Sequence, residues 1–221
     1  MILCIETATT NCSVAIFNGL DCVALKEDST SGYSHNEQLH VFISDVCLQA
    51  GINLNQLTAI AVSKGPGSYT GLRIGVSAAK GLCYALSIPL IAIETLSILG
   101  QAASGERTDF IIPMIDARRM EVYSCVLDRN SKPLDSAEAE ILSESSYADY
   151  LQKGRVTFIG NGVEKWKAVC KHSNAKYLEG VLPSAREMGV LADALYSKKE
   201  FVDVAYFEPY YLKDFQTSIK A

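Results

Sequence analysis

Two features of the sequence could carry chemistry: a glycine-rich turn, and two acidic residues that each end an apolar run. The turn, GPGSYTG at residues 65–71, follows an apolar run and precedes helix-forming sequence. Backbone amides at such a helix start can bind an anion, and the hydroxyls of Ser68 and Thr70 would add donors. The turn matches neither the P-loop GxxxxGK[ST] nor the dinucleotide motif GxGxxG. We favour the alternative, in which the glycines allow a tight turn around Pro66.

The two acidic residues, Glu6 and Asp116, each precede a polar turn and lie 110 positions apart. Acids at such turns can coordinate hydrated magnesium beside a phosphate, as in phosphotransferases. The alternative is that each acid caps its own turn, which is the commoner role of a single acid there. Both interpretations stay open from the residues alone. The candidate nucleotide or anion site comprises Glu6, Thr7, Thr9, Ser68, Thr70 and Asp116.

The residue pattern indicates no metal site and no catalytic nucleophile. His35 and His40 are five positions apart, so their rings would lie about 140° apart around a helix. Histidine pairs that bind a metal are spaced as in HExxH, and His172 stands alone. None of the serines or threonines lies in a nucleophile motif such as GxSxG. We therefore assign neither catalytic nor metal-binding residues.

The composition limits the classes of function. Of 221 residues, 48% are hydrophobic and 20% are charged, which is typical of a globular protein with a sizeable core. The net charge of −5, without any block of lysines or arginines, argues against an autonomous nucleic-acid-binding protein. Any contact with RNA is therefore expected to come from another subunit.

Cysteine usage and the amino-terminal sequence bear on location. The seven cysteines are odd in number and form no CxxC pair, which favours reduced thiols over a disulfide framework. The start of the chain lacks the basic segment of a secretory signal, and no apolar run reaches the length of a membrane span. We expect a cytoplasmic protein that does not enter the membrane.

Strand-like and helix-like segments alternate along the chain, which predicts an α/β protein. Three short strands within residues 2–26 are followed by a helix that Ser34 and Glu37 would open as a capping box and that ends near Ala50. After a further strand, the glycine turn leads into a second helix over residues 71–86. A strand follows it, and the small, polar stretch after that strand is the expected boundary between two lobes.

The chain also contains a weak internal repeat. The segments ILCIETATTNCSVAIF and IIPMIDARRMEVYSCVL each read as an apolar strand, an acid, a polar turn and a second strand. We interpret them as the openings of two duplicated lobes; a chance similarity between hairpins is the alternative. The expected lobes are residues 1–103 and residues 104–221, with the tail as a candidate to return to the first lobe. Helices of the second lobe are predicted to begin near Ser143, Glu164 and Ser184.

The second predicted helix is apolar over more of its circumference than one sheet can cover. Only Arg73, Ser77 and Lys80 form a thin polar stripe on it. Gly71 and Gly75 would let another helix backbone approach closely, either within this protein or across an interface with a partner. Both remain open at this point. The candidate partner-binding residues on the two helices are Leu39, Phe42, Val46, Gly71, Leu72, Gly75, Val76, Ala79, Leu82, Cys83 and Leu86.

Three stretches of the chain resemble one protein family. ILCIETATTNCSVAIF, KGPGSYTGLRIGVSAAKGLCYALSIPLIAIETL and IDARRMEVYSCVL together are similar to the TsaB family, also called YeaZ-type and formerly labelled glycoprotease-like. The similarity is strong over the first 128 or so residues, weak from there to residue 203, and faint in the tail EPYYLKDF. The resemblance implies the two-lobed actin/Hsp70/sugar-kinase-like fold (ASKHA, RNase H-like), with mixed sheets flanked by helices.

The resemblance also implies a function. Members of the family are non-catalytic partners of TsaD; with TsaD and the ATPase TsaE they transfer a threonylcarbamoyl group to the adenosine beside the anticodon of tRNA. They meet tRNA through the complex and form homodimers through the same surface when TsaD is absent. The metal-binding histidine pair of TsaD would fall near IAIETLSILG, where this chain has Glu94, Thr95 and Leu96. No cofactor is expected for the chain alone. ATP or ADP with magnesium is expected to bind only at the interface of the complex.

Three positions depart from the family pattern: Met120 replaces a glycine, Glu6 replaces an aspartate and Lys213 replaces an arginine.

Rival functions are a nucleotide-dependent phosphotransferase of the same fold, a structural homodimer and a peptidase. The sequence offers the peptidase neither a nucleophile with a base nor a metal site. We favour the partner subunit, in which the glycines let the second helix start sharply and pack closely. On that interpretation Gly75→Glu or Val76→Asp is expected to abolish pairing.

Overall fold

The structure is a computed structural model that describes residues 1–29 and 35–213. Ser34, and with it the predicted capping box, lies outside the described residues. Five strands form the first sheet: β1 (Ile2–Glu6), β2 (Cys12–Asn18), β3 (Asp21–Asp28), β4 (Ala59–Gly65) and β5 (Leu90–Glu94). Their order is β3-β2-β1-β4-β5; β1, β2 and β3 are antiparallel neighbours, whereas β4 is parallel to β1 and β5 is parallel to β4. The helices of this half are α1 (His35–Ala50), α2 (Tyr69–Leu86) and α3 (Thr95–Gln101).

The second sheet has six strands. They are β6 (Phe110–Asp116), β7 (Glu121–Ser124), β8 (Leu127–Asp128), β9 (Glu138–Ile141), β10 (Val156–Gly160) and β11 (Ala175–Glu179). The order is β11-β10-β6-β7-β9, with β8 paired to β6. Three helices follow in this part of the sequence, α4 (Ala148–Lys153), α5 (Val163–Val169) and α6 (Ala185–Ser197).

The two sheets have the same topology. In each, the first strand lies beside two strands that are joined by antiparallel pairing on one side and two strands that are joined by parallel pairing on the other. The internal repeat of the sequence is therefore visible in the order of the strands. Two mixed sheets flanked by helices confirm the predicted α/β fold of the actin-like class.

Alternation along the strands explains how helices cover both faces of the first sheet. Leu3 and Ile5 of β1 point into a core shared with α1 and α2. Ile2 and Cys4 of the same strand point into a core shared with α3 and α6. All four side chains are buried, so β1 is enclosed on both faces.

Helices α3 and α6 both pack against the first sheet, and α3 also packs against the second. In α3, Ile98 packs in the core of the first sheet and Leu99 in a core of the second. Met188 of α6 packs against the first sheet. Helix α6 thus lies against the lobe formed by residues 1–103, although it belongs to the stretch 104–221 in sequence.

Some element boundaries differ from the predicted ones. The helix expected near Ser143 begins at Ala148, because residues before it form a turn in which the Ser146 amide donates to the Ser143 carbonyl at 3.0 Å. The second strand expected in the repeat segment IIPMIDARRMEVYSCVL is divided into β7 and β8. Within the part of the chain that the structure describes, no helix has the length and apolarity needed to cross a membrane.

Candidate functional site

The glycine turn joins β4 to α2 and contains a cis peptide bond between Gly65 and Pro66. Ser68 caps the helix, since its hydroxyl accepts a hydrogen bond from the amide of Gly71 at 3.3 Å. Such a cap satisfies one of the amides that a helix start leaves unpaired. The Ser68 hydroxyl therefore has a structural role in starting α2.

The glycines of this turn and of α2 bring the helix close to the turn after β1. A Cβ atom at Gly67 would overlap the carbonyl oxygen of Ala8. At Gly71 it would overlap the carbonyl oxygen of Thr7, and at Gly75 the Thr7 hydroxyl. The Thr7 hydroxyl also donates to the Gly71 carbonyl at 2.8 Å. The close approach predicted from the glycines is thus made within this chain.

Most of the predicted partner-binding residues are not accessible. The structure places them on the sides of α1 and α2 that face the first sheet or the turn after β1, where all are buried and five belong to the core of that sheet. Their assignment to a partner-facing surface is therefore corrected, and Gly75→Glu or Val76→Asp would disturb the fold itself. The residues concerned are Leu39, Val46, Gly71, Leu72, Gly75, Val76, Ala79 and Cys83.

The opposite sides of the same two helices carry exposed apolar side chains, which we call the α1/α2 face. Val41 and Leu48 of α1 are 55% and 82% exposed, and Tyr84 of α2 is 84% exposed. Sequence reasoning missed all three, because periodicity shows that a helix is apolar but not which side meets the sheet. The α1/α2 face comprises Val41, Leu48 and Tyr84, whereas Phe42, Leu82 and Leu86 of the predicted set are half-buried and pack against the core of the first sheet.

A cleft of about 540 Å³ lies between the two sheets. The turn after β1, the glycine turn and the turn after β6 line it, and residues 210–213 of the tail form a further wall. Tyr69 and Tyr123 also line the cleft and were missed, because only tertiary packing shows that their side chains face it. Four of the six residues of the candidate anion site line it as well: Thr9, Ser68, Thr70 and Asp116.

Glu6 does not line this cleft. It is fully buried, and one carboxylate oxygen accepts hydrogen bonds from the Ala8 amide at 2.6 Å and the Ser63 hydroxyl at 3.0 Å. Its other oxygen is buried without a partner among the described residues. Burial raises the pKa of Glu6 from 4.5 to about 7, although the bonds from Ala8 and Ser63 lower it. Glu6 caps its turn, as the alternative interpretation held, and Thr7 is likewise buried.

Asp116 holds the corresponding turn in the second lobe and is exposed. Its carboxylate accepts from the Arg118 amide at 2.5 Å and from Lys165 at 2.9 Å. Lys165 also donates to the carbonyls of Arg119 and Glu121. The backbones of Arg118 and Arg119 adopt the left-handed conformation, with φ of 71° and 50°. The tight turn therefore forms despite Met120, because the two arginines adopt the unusual conformation.

The histidines give no metal site. The imidazole Nε2 of the buried His35 lies 2.7 Å from the Thr9 carbonyl oxygen, whereas His40 is exposed. Residues 1–29 and 35–213 contain no group of three or more histidine, cysteine or acidic side chains placed to hold a metal ion.

The duplicated sheet order and the cleft between the sheets define a protein of the actin-like ASKHA class. A family model described as "TsaD: tRNA N6-adenosine threonylcarbamoyltransferase" matches residues 29–221. The chain belongs to this family and, within it, to the TsaB proteins, as a relative that is 30% identical over 96% of the chain shows.

The named relatives are similar along nearly the whole chain. The tRNA threonylcarbamoyladenosine biosynthesis protein TsaB of Escherichia coli is 30% identical over 220 residues, or 96% of this chain and 94% of the relative. The TsaB of Haemophilus influenzae is 30% identical over 226 residues, covering 96% and 93%. The solved structure of YeaZ from Pseudomonas aeruginosa superimposes with a TM-score of 0.83 at 27% identity, covering 96% and 99%.

Proposed function

We propose that this chain is the non-catalytic subunit that pairs with TsaD in the synthesis of tRNA threonylcarbamoyladenosine. Membership of the TsaB family places the chain in this biosynthesis, since its relatives carry the pathway in their names. The observation that carries the pairing is the α1/α2 face, where Leu48 and Tyr84 are more than four-fifths exposed.

The chemistry of the α1/α2 face supports a protein partner. Aromatic and aliphatic side chains are enriched at the centres of protein interfaces, and a stable complex buries about 800 Å² on each partner. Two neighbouring helices that each expose large apolar side chains offer such a centre. We propose that TsaD binds here, and that a second copy of this chain binds the same face when TsaD is absent.

The residues near the end of β5 support a non-catalytic role. At the position implied for the metal-binding histidines of TsaD, Glu94 pairs with Lys64 at 2.7 Å and Thr95 is buried. This pairing ties β4 to β5 and offers no imidazole to a metal. The chemistry would then belong to TsaD, with TsaE joining the complex and tRNA bound through the complex.

The rival functions have less support. A phosphotransferase that used Glu6 and Asp116 around magnesium would need both carboxylates in the cleft, yet Glu6 is enclosed in the first lobe. A peptidase would need a nucleophile beside a base, and the cleft-lining residues include no histidine. We propose that ATP or ADP with magnesium binds only in the assembled complex, and that the complex acts in the cytoplasm.

The pairing is tested by Leu48→Asp and Tyr84→Asp, each co-expressed with tagged TsaD from the same organism. We expect at least a tenfold loss of copurified chain, because a charge would be buried in an apolar interface. Leu20→Asp is the matched control: Leu20 is 64% exposed but lies in the turn between β2 and β3. Wild-type copurification of both face variants would overturn the assignment.

A further inference from the structure

The second lobe carries a depression of about 450 Å³ that is separate from the cleft. The cleft lies at the carboxyl ends of β6 and β10, where Asp116 and Asn161 line it. The depression lies at the amino ends of β6, β10 and β11, and it is lined by residues 105–107, 155, 157 and 173–176. These three strands are parallel neighbours, so their amino ends meet at one edge of the sheet. The two cavities are therefore at opposite ends of the same strands.

Basic side chains outnumber acidic ones in the lining of the depression. Arg107, Arg155 and Lys176 are basic and exposed, and Glu106, the acid among the lining residues, forms an ion pair with Lys176. The nearby Asp109 carboxylate accepts a hydrogen bond from the Arg155 amide at 2.9 Å. Among the described residues, the guanidinium groups of the two arginines form neither an ion pair nor a hydrogen bond. Two positive charges at the depression are therefore not paired within the described part of the chain.

A buried hydroxyl lies at the base of the depression. Thr157 is only 1% exposed, yet it is among the lining residues. It pairs with Lys176 in the parallel ladder, so the two side chains point to the same face of the sheet. The Thr157 hydroxyl has no hydrogen-bond partner among the described residues. Because an unpaired buried hydroxyl is costly, this donor is available to an oxygen atom of a ligand beside the basic groups.

Further basic side chains extend along this edge of the sheet. Lys153 and Lys171 are exposed and lie two residues before the lining positions 155 and 173. Residues 151–152 and 171–172 line one neighbouring depression, in which Glu144 is the acidic lining residue, so these two segments are side by side. The chain has a net charge of −5, yet folding gathers cations that are scattered in sequence onto this edge. We call these side chains the basic edge: Arg107, Lys153, Arg155, Lys171 and Lys176.

The chemistry of the basic edge fits phosphate groups that are linked in a chain. Arginine presents several N–H donors in one plane and can bind a phosphate through two of them. A single small ligand would need the depression alone, whereas Lys153 and Lys171 lie outside its lining. Nucleic-acid-binding proteins present exposed cations of this kind to backbone phosphates. An RNA backbone therefore accounts both for the depression and for the cations beyond it.

We propose that the basic edge binds the phosphate backbone of tRNA when this chain is in its complex. The inference rests on the proposed function, because that function brings the chain and tRNA into one assembly. It goes further in assigning some of the tRNA contacts to this subunit, whereas the net charge alone predicted them only on other subunits. Phosphate contacts position an RNA without reading its bases, so the effect is expected on affinity and on its salt dependence.

The experiment compares complexes with TsaD that contain the wild-type chain, the variant Arg107→Gln/Arg155→Gln or a control. The control, Lys198→Gln/Lys199→Asn, removes the same amount of charge just after α6, and asparagine tolerates the left-handed backbone of Lys199. Chromatography with mass determination first establishes that each complex has formed. Affinity for an unmodified tRNA transcript of the same organism is then measured by filter binding at several salt concentrations.

We expect the arginine variant to bind tRNA at least fivefold more weakly than the wild type near physiological salt. The slope of log affinity against log salt concentration should be smaller in magnitude by about 1 to 2, and the control should match the wild type. Wild-type affinity of the arginine variant, an equal loss in the control, or no tRNA binding by the wild-type complex would overturn the proposal while leaving the pairing with TsaD intact. If the wild-type chain forms no complex with TsaD, the proposed function fails and this inference fails with it.

Discussion

Each lobe begins with a strand that ends in an acidic residue followed by a turn, but the acid is buried in the first lobe and exposed in the second. Glu6 ends β1 and Asp116 ends β6, and each carboxylate accepts a hydrogen bond from the amide two residues further on. Glu6 is fully buried, with a raised pKa, whereas the side chain of Asp116 is 42% exposed and paired with Lys165. The acid at the end of the first strand is therefore part of the packed interior in the first lobe, whereas the equivalent acid lines the cleft in the second lobe.

The difference arises from what packs against each turn. In the first lobe, α2 lies close to the turn because its glycines admit the backbone of Thr7 and Ala8. In the second lobe, Lys165 of α5 holds the turn through carbonyl and carboxylate oxygens, and Arg118 remains exposed. The turn of the first lobe is therefore enclosed by close backbone packing, whereas the turn of the second lobe is held by an ion pair and hydrogen bonds to Lys165.

The largest effect is expected where the first turn meets α2. Gly71→Ala should lower the free energy of unfolding by about 3 kcal/mol, because the new methyl group would overlap the Thr7 carbonyl. Gly81→Ala is the same substitution in the same helix, where the Cβ meets open space. It should raise stability by up to about 1 kcal/mol through helix propensity. Urea unfolding of both variants measures the contrast, and equal effects would contradict it.

The second prediction concerns the pH dependence that Glu6 gives to the first lobe. Because its pKa is raised from 4.5 to about 7 in the folded state, the folded chain binds a proton more tightly than the unfolded chain. The associated stability is present below about pH 4.5 and is lost as the pH rises through about 7, with a total change on the order of 3 kcal/mol.

Glu6→Gln tests this dependence, since an amide keeps the accepting oxygen and carries no charge. The difference in unfolding free energy between variant and wild type should grow in favour of the variant from pH 5 to pH 8. A difference that stays constant with pH, measured by urea unfolding at each pH, would show that Glu6 titrates as it does in the unfolded chain.

The smallest effect is expected at the equivalent acid of the second lobe. Asp116→Asn keeps an oxygen for the Arg118 amide and loses only the charge opposite Lys165. Because the pair is partly exposed, the cost should be below about 1 kcal/mol and should shrink in high salt. Chemical unfolding at low and high ionic strength measures it. A cost as large as that of Gly71→Ala would remove the distinction between the two turns.

The sequence predicted the fold well because its signals are local. Alternation in β1 and β2, the glycine turn before α2 and the repeated strand–acid–turn unit specified the two lobes, and the family resemblance supplied their class. The internal role of Gly71 was not predictable, since its contact with Thr7 joins residues 64 positions apart. Nor could the pattern of α2 show that Val76 faces the sheet while Tyr84 faces outward, because both faces of the helix are apolar.

The cleft was predictable only in part. Thr9, Ser68 and Asp116 lie at chain turns that carry recognisable signals, and the structure brings them together. Tyr210 and Tyr211 arrive from the opposite end of the chain, where only the faint similarity of EPYYLKDF marked them. Their position depends on tertiary contacts with Lys64 and Arg73, which no local pattern encodes.

The most direct test of the partner-subunit account is co-expression of the full chain with TsaD of the same organism, followed by size-exclusion chromatography with mass determination. We predict a one-to-one heterodimer that replaces any homodimer of this chain. Two separate peaks, each with the mass of a single component or its own oligomer, would contradict the account.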